Sequence, residues 1–216
     1  MFPDMNELTG FAAPAITHSA GAAGPAFNII GVACSAADVE APSQLVAALR
    51  ADCDAAILLI QCGSRGQATL LNVALAARTN MPVVQAHASF ALDSGHIYLI
   101  PPKTTATLSR GHVFLAPVAG GSPADDLLTS LAQELKSRAI GVVLSGGGSD
   151  GALGIRAIRQ GGGRTFSQYP GSARYPGMPI SAIETGCVDF VLRPNEIALE
   201  LARLRQQSSV TWLPAA

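Results

Sequence analysis

The sequence predicts one α/β domain: a doubly wound, mostly parallel sheet with helices on both faces and an inserted antiparallel β-hairpin. Three observations lead there. From Asn28 onward, short apolar runs alternate with longer amphipathic stretches, the pattern of successive βαβ units. Hydrophobic residues make up 49% and charged residues 13% of the chain, so most segments have an apolar face to bury. A length of 216 residues suits a single core of this architecture.

The elements are expected in the following order. Residues 1–26 end in Ala20-Gly21-Ala22-Ala23-Gly24-Pro25 and carry neither periodicity, which reads as a disordered leader. The domain occupies 27–207 and a short tail 208–216. Its first half runs strand Asn28 to Cys34, helix Ala41 to Arg50, strand Ala55 to Ile60, helix Ala68 to Arg78 and strand Pro82 to Ala86. His96 to Ile100, Thr105 to Ser109 and His112 to Ala116 are β-rich and are punctuated by Pro101-Pro102 and Gly111. They break the rhythm and predict the antiparallel insertion. Alternation resumes with helix Ala124 to Ser137, strand Ile140 to Leu144, helix Ala152 to Gln160, strand Arg164 to Ser167, helix Pro179 to Thr185, strand Val188 to Leu192 and helix Glu196 to Arg205.

Composition narrows the function. A net charge of -1 provides no attraction for nucleic acid or anionic lipid. The amino terminus lacks a basic stretch, and no apolar run reaches the roughly 18 residues of a membrane span, so the expected location is the cytoplasm, without membrane insertion. Cys34, Cys53, Cys62 and Cys187 form no C-x-x-C pair and no Cys/His cluster. They read as buried thiols, and no metal or organic cofactor is expected.

Right-handed crossovers gather three loops at the carboxyl edge of the sheet, where open α/β folds bind ligands. These are Cys34-Ser35, Gln61-Cys62-Gly63 and Gly146-Gly147-Gly148-Ser149-Asp150-Gly151. A serine at such a turn can present its hydroxyl as a nucleophile among backbone N–H groups; Ser35 could equally cap the next helix. The glycine-rich loop spells G-x-G-x-x-G. Asp150 puts a negative charge inside any phosphate cradle there, and no acidic residue ends the following strand to hold a ribose; the alternative is a glycine turn with Asp150 as a helix cap. A serine hydrolase also needs a base. His18 lies in the leader and His96 and His112 in the hairpin region, leaving His87, just beyond its strand, as the substitute to consider.

Val143 to Ile158 (VLSGGGSDGALGIRAI), Tyr175 to Ile183 (YPGMPISAI) and Gly95 to Pro102 (GHIYLIPP) together identify a resemblance. The sequence resembles the protein-glutamate methylesterases of bacterial chemotaxis (CheB type), especially forms fused to the receptor methyltransferase, over roughly Asn28 to Leu204. The resemblance implies hydrolysis of glutamyl methyl esters on the cytoplasmic region of chemoreceptors, through an acyl-enzyme on a serine. It places Ser35 at the nucleophile and Asp150 at the aspartate that orients the catalytic histidine. Ala36 and Gly147 then supply oxyanion N–H groups. The family's Gln-His pair reads Gln61-Cys62 here, so a cysteine stands at the histidine position.

Other departures surround that one. Ala37-Asp38 replaces a Gly-Gly, which puts the Asp38 charge where an oxyanion would form. Gly147 replaces a methionine, and Gly63-Ser64-Arg65-Gly66 replaces a proline-containing segment. A thiol of pKa about 8.5 is mostly protonated at neutral pH and shorter than an imidazole, so it is a poor relay. Three functions follow as expectations: a methylesterase impaired at Cys62, with His87 or a water as stand-in base; a catalytically inactive pseudoenzyme that binds receptors or a signalling partner; and a cysteine hydrolase or redox-sensitive protein with Cys34 close enough to Cys62 for a disulfide. The leader and tail are too short for a receiver or methyltransferase domain, which leaves no expected phosphorylation control in cis.

Overall fold

A computed structural model of the chain describes residues 27–50, 54–63, 68–118 and 120–208. The expected leader, the tail beyond Ser208, His18, Cys53 and the Ser64-Arg65-Gly66 segment lie outside the described residues.

The first strand, β1 (Asn28–Ser35), is followed by α1 (Glu40–Ala48), β2 (Ala55–Cys62), α2 (Ala68–Ala76), β3 (Val83–Gln85) and β4 (Phe90–Ala91). Next come β5 (Ile97–Ile100), β6 (Thr104–Ser109), β7 (His112–Pro117), α3 (Pro123–Leu135) and β8 (Ala139–Val143). The chain closes with α4 (Ala152–Gln160), β9 (Arg164–Gln168), α5 (Gly177–Glu184), β10 (Phe190–Leu192) and α6 (Pro194–Ser208).

Seven strands form the main sheet in the order β10-β9-β8-β1-β2-β5-β3, and every neighbouring pair is parallel. The chain winds outward from β1 through β2 and later from β8 toward β10, so winding reverses between β1 and β8. Above that seam the crevice of a doubly wound sheet opens.

The antiparallel insertion differs from expectation in one member. Residues 97–100 join the main sheet as parallel β5, between β2 and β3, while β6 and β7 pair with each other and with β4 in a separate three-stranded antiparallel sheet. The physical reason lies in burial: all four residues of β5 are buried, as an interior parallel strand requires, whereas exposure alternates along the second half of β6.

The main sheet separates two cores. One layer packs Leu45 and Val46 of α1, Leu71 and Leu75 of α2, and Ile197 and Leu201 of α6 against Ile30, Val32, Ile57 and Leu59. The other packs Leu127, Leu128 and Leu131 of α3, Ile155 and Ile158 of α4, and Met178 of α5 against Ile29, Ala33, Leu58 and Ile60. The small sheet adds Leu108 and Val113 to this second layer. It is pinned to α3 where Ser130 Oγ accepts the Leu108 N–H at 2.9 Å. No helix among the described residues is long and apolar enough to cross a membrane.

Leu128 packs tightly within that layer. A Cβ added to Gly31 would sit 2.6 Å from Leu128 Cδ2, and one added to Gly154 would sit 2.4 Å from Leu128 Cβ. Glycine at both positions lets α3 approach β1 and α4 at once. Gly154→Ala is therefore expected to lower stability by about 1–3 kcal/mol through overpacking, read as a drop in thermal midpoint by circular dichroism; an unchanged midpoint would show that α3 can move aside.

Candidate active site

Ser35 ends β1 directly opposite Cys62 at the end of β2. Facing residues of parallel strands point the same way and successive residues alternate, so Ser35 and Cys62 share the α3/α4 side of the sheet. Cys34 lies in the α1 layer and Cys62 in the α3 layer. The two thiols are on opposite faces, both cysteines are free, and the expected Cys34–Cys62 disulfide has no geometry to form.

Asp150 joins this pair from the β8–α4 loop. Its Oδ1 accepts the N–H groups of Ala124 and Asp125, each at 3.1 Å, and its Oδ2 accepts Ala124 N–H at 3.3 Å. It thus caps α3, where Pro123 stands in the first turn, rather than α4, the helix that follows it. Asp125 returns the contact, its Oδ1 accepting the Gly154 N–H of α4 at 2.8 Å. Each helix start is satisfied by a carboxylate from the neighbourhood of the other. Burial raises the Asp125 carboxyl pKa most, backbone N–H bonds from Gly154, Gly151 and Leu153 lower it, and the nearby Asp150 charge raises it.

Cys62 is 6% exposed and its thiol is hydrogen-bonded to Asp150. Burial first, then the Asp150 charge and that hydrogen bond, hold the thiol well above the usual range, with smaller contributions from Cys34 and Asp125. It stays protonated throughout the physiological range and donates to the carboxylate. Cys34 is pushed up to about 12 by burial and by the Asp38 charge.

The Ser35 turn is ordered by its own polar groups. Ser35 N–H donates to Ser145 O at 2.8 Å, and Ser35 Oγ accepts the Ala37 N–H at 3.1 Å. Two expectations change here. The Ala36 N–H, expected to face an oxyanion, donates to Cys62 O at 2.9 Å as one more rung of the β1–β2 ladder. Asp38, expected to intrude on the oxyanion position, is 3% exposed and turns into the start of α1, its Oδ1 accepting Glu40 N–H at 3.0 Å and Ala41 N–H at 3.4 Å. The helix cap considered for Ser35 is Asp38. Gly147 is exposed and has open space where a side chain would stand.

The glycine loop is anchored by residues that sequence reasoning did not single out. Ser145 N–H donates to Gln168 Oε1 at 2.8 Å, Ser145 Oγ accepts Tyr175 N–H at 3.0 Å, and Gly146 exchanges backbone bonds with Tyr175 and Met178 at 2.8 Å each. A Cβ on Gly146 would lie 2.0 Å from Met178 Sδ. The Tyr175 to Ile183 motif was the available signal.

The histidines stay away. His87 is exposed beyond β3, and β2 and β5 separate β3 from β1, which is three strand spacings or about 14 Å. His96 precedes β5 at the opposite edge, its Nδ1 2.9 Å from Ser94 O, and His112 sits at the tip of the β6–β7 hairpin. The structure therefore does not bring His87 to Ser35. Among the described residues no group of three or more His, Cys, Asp or Glu could hold a metal ion.

Residues 30–201 match the family described as CheB methylesterase. A Rhizobium meliloti protein named protein-glutamate methylesterase/protein-glutamine glutaminase of group 3 operon is 33% identical over 84% of this chain and 53% of its own length. A Leptospira interrogans protein named putative protein-glutamate methylesterase/protein-glutamine glutaminase is 29% identical over 84% of this chain and 97% of its own. An uncharacterized 104.1 kDa protein of Rhodobacter capsulatus is 45% identical over 55% of this chain, which spans only 13% of it. Thus the chain spans about half or less of the Rhizobium and Rhodobacter relatives. The crystal structure of the Thermotoga maritima CheB methylesterase catalytic domain superposes with a TM-score of 0.75 at 25% identity, covering 83% of this chain and all of that one.

Asp150→Asn removes the charge beside Cys62 but keeps an oxygen for the α3 N–H groups. The expected outcome is a stability within about 1 kcal/mol of the native chain and a lowered Cys62 pKa, so that thiolate forms at lower pH. Iodoacetamide labelling of Cys62 near pH 9, followed by mass spectrometry, should be faster in the variant; equal rates would separate the thiol from Asp150.

Proposed function

Because the chain belongs to the CheB methylesterase family, we propose that it is a protein-glutamate methylesterase domain of strongly reduced turnover, acting in the cytoplasm on glutamyl methyl esters of chemoreceptors. One observation carries the reading: Ser35, Cys62 and Asp150 converge above the β1–β8 seam, with a thiol where the family resemblance calls for an imidazole.

In the reaction, Ser35 Oγ would attack the ester carbonyl, form a glutamyl acyl-enzyme and release the methoxy group, which takes up a proton to leave as methanol. Water would then cleave the acyl-enzyme. Both steps need a group that accepts a proton and gives it back. The Cys62 thiol already carries its proton and spends it on Asp150. It has no basic lone pair comparable to imidazole nitrogen. Gly147 has open space where a side chain would stand, while the Ala36 N–H would first have to leave Cys62 O. Loss of the histidine alone costs on the order of a millionfold in a serine protease.

A second reading has a specific observation in its favour. The spent Ala36 N–H and the protonated Cys62 together suit a pseudoenzyme that keeps the fold to bind receptors or a signalling partner. The cysteine-nucleophile and redox reading is the weakest, since a buried thiol raised by Asp150 is neither a nucleophile nor readily oxidised.

Methanol release from a methylated receptor fragment tests the proposal. The native protein should show a trace that Ser35→Ala abolishes, and Cys62→His should raise the rate at least about a hundredfold, the usual contribution of a positioned base. No release from the native protein or from Cys62→His would leave the binding reading; full activity in native protein with Ser35→Ala unaffected would remove Ser35 as nucleophile.

A further inference from the structure

Asp125 is a buried carboxylate with no part in the acyl-transfer steps. It is 9% exposed and stands in the first turn of α3, where a charge is costly to bury unless its oxygens are bonded. Ser122 precedes α3 and Gly151 precedes α4, and among the described residues neither makes a side-chain cap bond, although serine is a favoured cap. Both helix starts are served across the α3–α4 interface instead, α3 by Asp150 and α4 by Asp125.

Gly151 makes this exchange possible. Its φ of +95° is readily adopted by glycine and turns the chain between Asp150 and the helix that follows. A Cβ at Gly151 would lie 3.1 Å from Val143 Cγ2 and 3.8 Å from Ala124 Cβ, so the start of α4 rests on the sheet and on the first turn of α3. Asp150 takes its place from α3, whose Ala124 and Asp125 N–H groups each reach Oδ1 at 3.1 Å. Asp125 in turn ties α3 to α4, accepting the Gly154 N–H at 2.8 Å. Gly154 is buried, so removing the Asp125 oxygen leaves a buried donor unsatisfied. The first turn of α3 then has reason to shift, and Asp150 shifts with it.

We propose that Asp125 is the positioning residue of this site: by tying the start of α4 to the start of α3, it holds the Asp150 carboxylate against residue 62. It acts through Asp150. The inference does not rest on the methylesterase reading, since the carboxylate must face position 62 whether a thiol or an imidazole stands there. Two effects of Asp125 on Cys62 are separable. Its own charge is the smallest influence on the thiol, after burial, the charge and hydrogen bond of Asp150, and Cys34. Its hold on Asp150 governs the larger electrostatic influence. Asp125→Asn removes the charge and keeps an oxygen for Gly154, whereas Asp125→Ala removes both.

The test uses the full chain with Cys62 as reporter, through the rate at which iodoacetamide labels the Cys62 peptide at a fixed alkaline pH. Asp125→Ala should label at least about tenfold faster than Asp125→Asn, the equivalent of one unit of thiol pKa. The same two substitutions are then compared with Asp150→Asn already in place, as a double-mutant cycle. There the two should label at equal rates, because no carboxylate remains to be displaced. Equal rates with Asp150 intact overturn the proposal. A gap that persists with Asp150→Asn also overturns it, since it reports a general loosening around the thiol. Should Asp125→Ala fail to fold by circular dichroism, Asp125→Glu replaces it, keeping the charge but moving the carboxylate by one methylene. Labelling faster than native only while Asp150 is present supports the positioning role, and a native rate overturns it. The readout needs no turnover, so it decides the role of Asp125 in an esterase and in a pseudoenzyme alike.

Discussion

The site depends on an exchange of carboxylates between two helices. Asp150, just ahead of α4, satisfies the first N–H groups of α3, and Asp125, in the first turn of α3, satisfies the start of α4. Neither helix can shift along its axis without breaking a cap that belongs to the other. This lock fixes the Asp150 oxygens beside Cys62, and it places two negative groups where their mutual repulsion is offset by backbone dipoles. Ser35 is held by a different constraint, the β1–β8 seam, where its N–H meets Ser145 O. The candidate centre is the place where the helix lock and the sheet seam meet.

Replacing an imidazole with a thiol in such a setting alters more than basicity. An imidazole can donate through one nitrogen while accepting through the other, which lets it sit between a carboxylate and a hydroxyl. The thiol has one proton, which it keeps and directs at Asp150. Burial and the carboxylate act in the same direction, and both hold the Cys62 thiol protonated. The ladder bond from Ala36 N–H to Cys62 O fits the same picture, since the backbone here continues the sheet beyond the point where chemistry would need free donors.

Much of this was legible in the sequence, and the failures share a cause. Alternating apolar and amphipathic segments predict the parallel sheet that the structure shows, and the carboxyl-edge loops single out Ser35 and Asp150 as candidates. Strand β5 was grouped with the hairpin because its neighbours in sequence are antiparallel, although its four consecutive apolar residues already carried the mark of an interior strand. Asp38 and Ala36 were assigned by position along the chain, while their hydrogen bonds follow from how α1 begins and where the β1–β2 ladder stops. A possible Cys34–Cys62 pair looked open by proximity, and the two-residue period of a strand closes it. Asp125 escaped notice because its partner lies in another helix, and cross-element caps leave no trace in local spacing.

Leu128 has a consequence for how this molecule can change. It occupies the space left by Gly31 on β1 and Gly154 on α4, so three positions on three elements share one volume. A larger residue at Gly31 meets Leu131 as well as Leu128, and one at Gly154 meets the Leu128 Cβ that a shorter side chain would keep, so neither glycine can be replaced unless α3 moves away. Substitution at this junction is therefore felt on three elements at once. Gly147, in the loop beside the candidate site, has open space where a side chain would stand. A chain built this way can lose its chemistry one residue at a time while its architecture stays fixed.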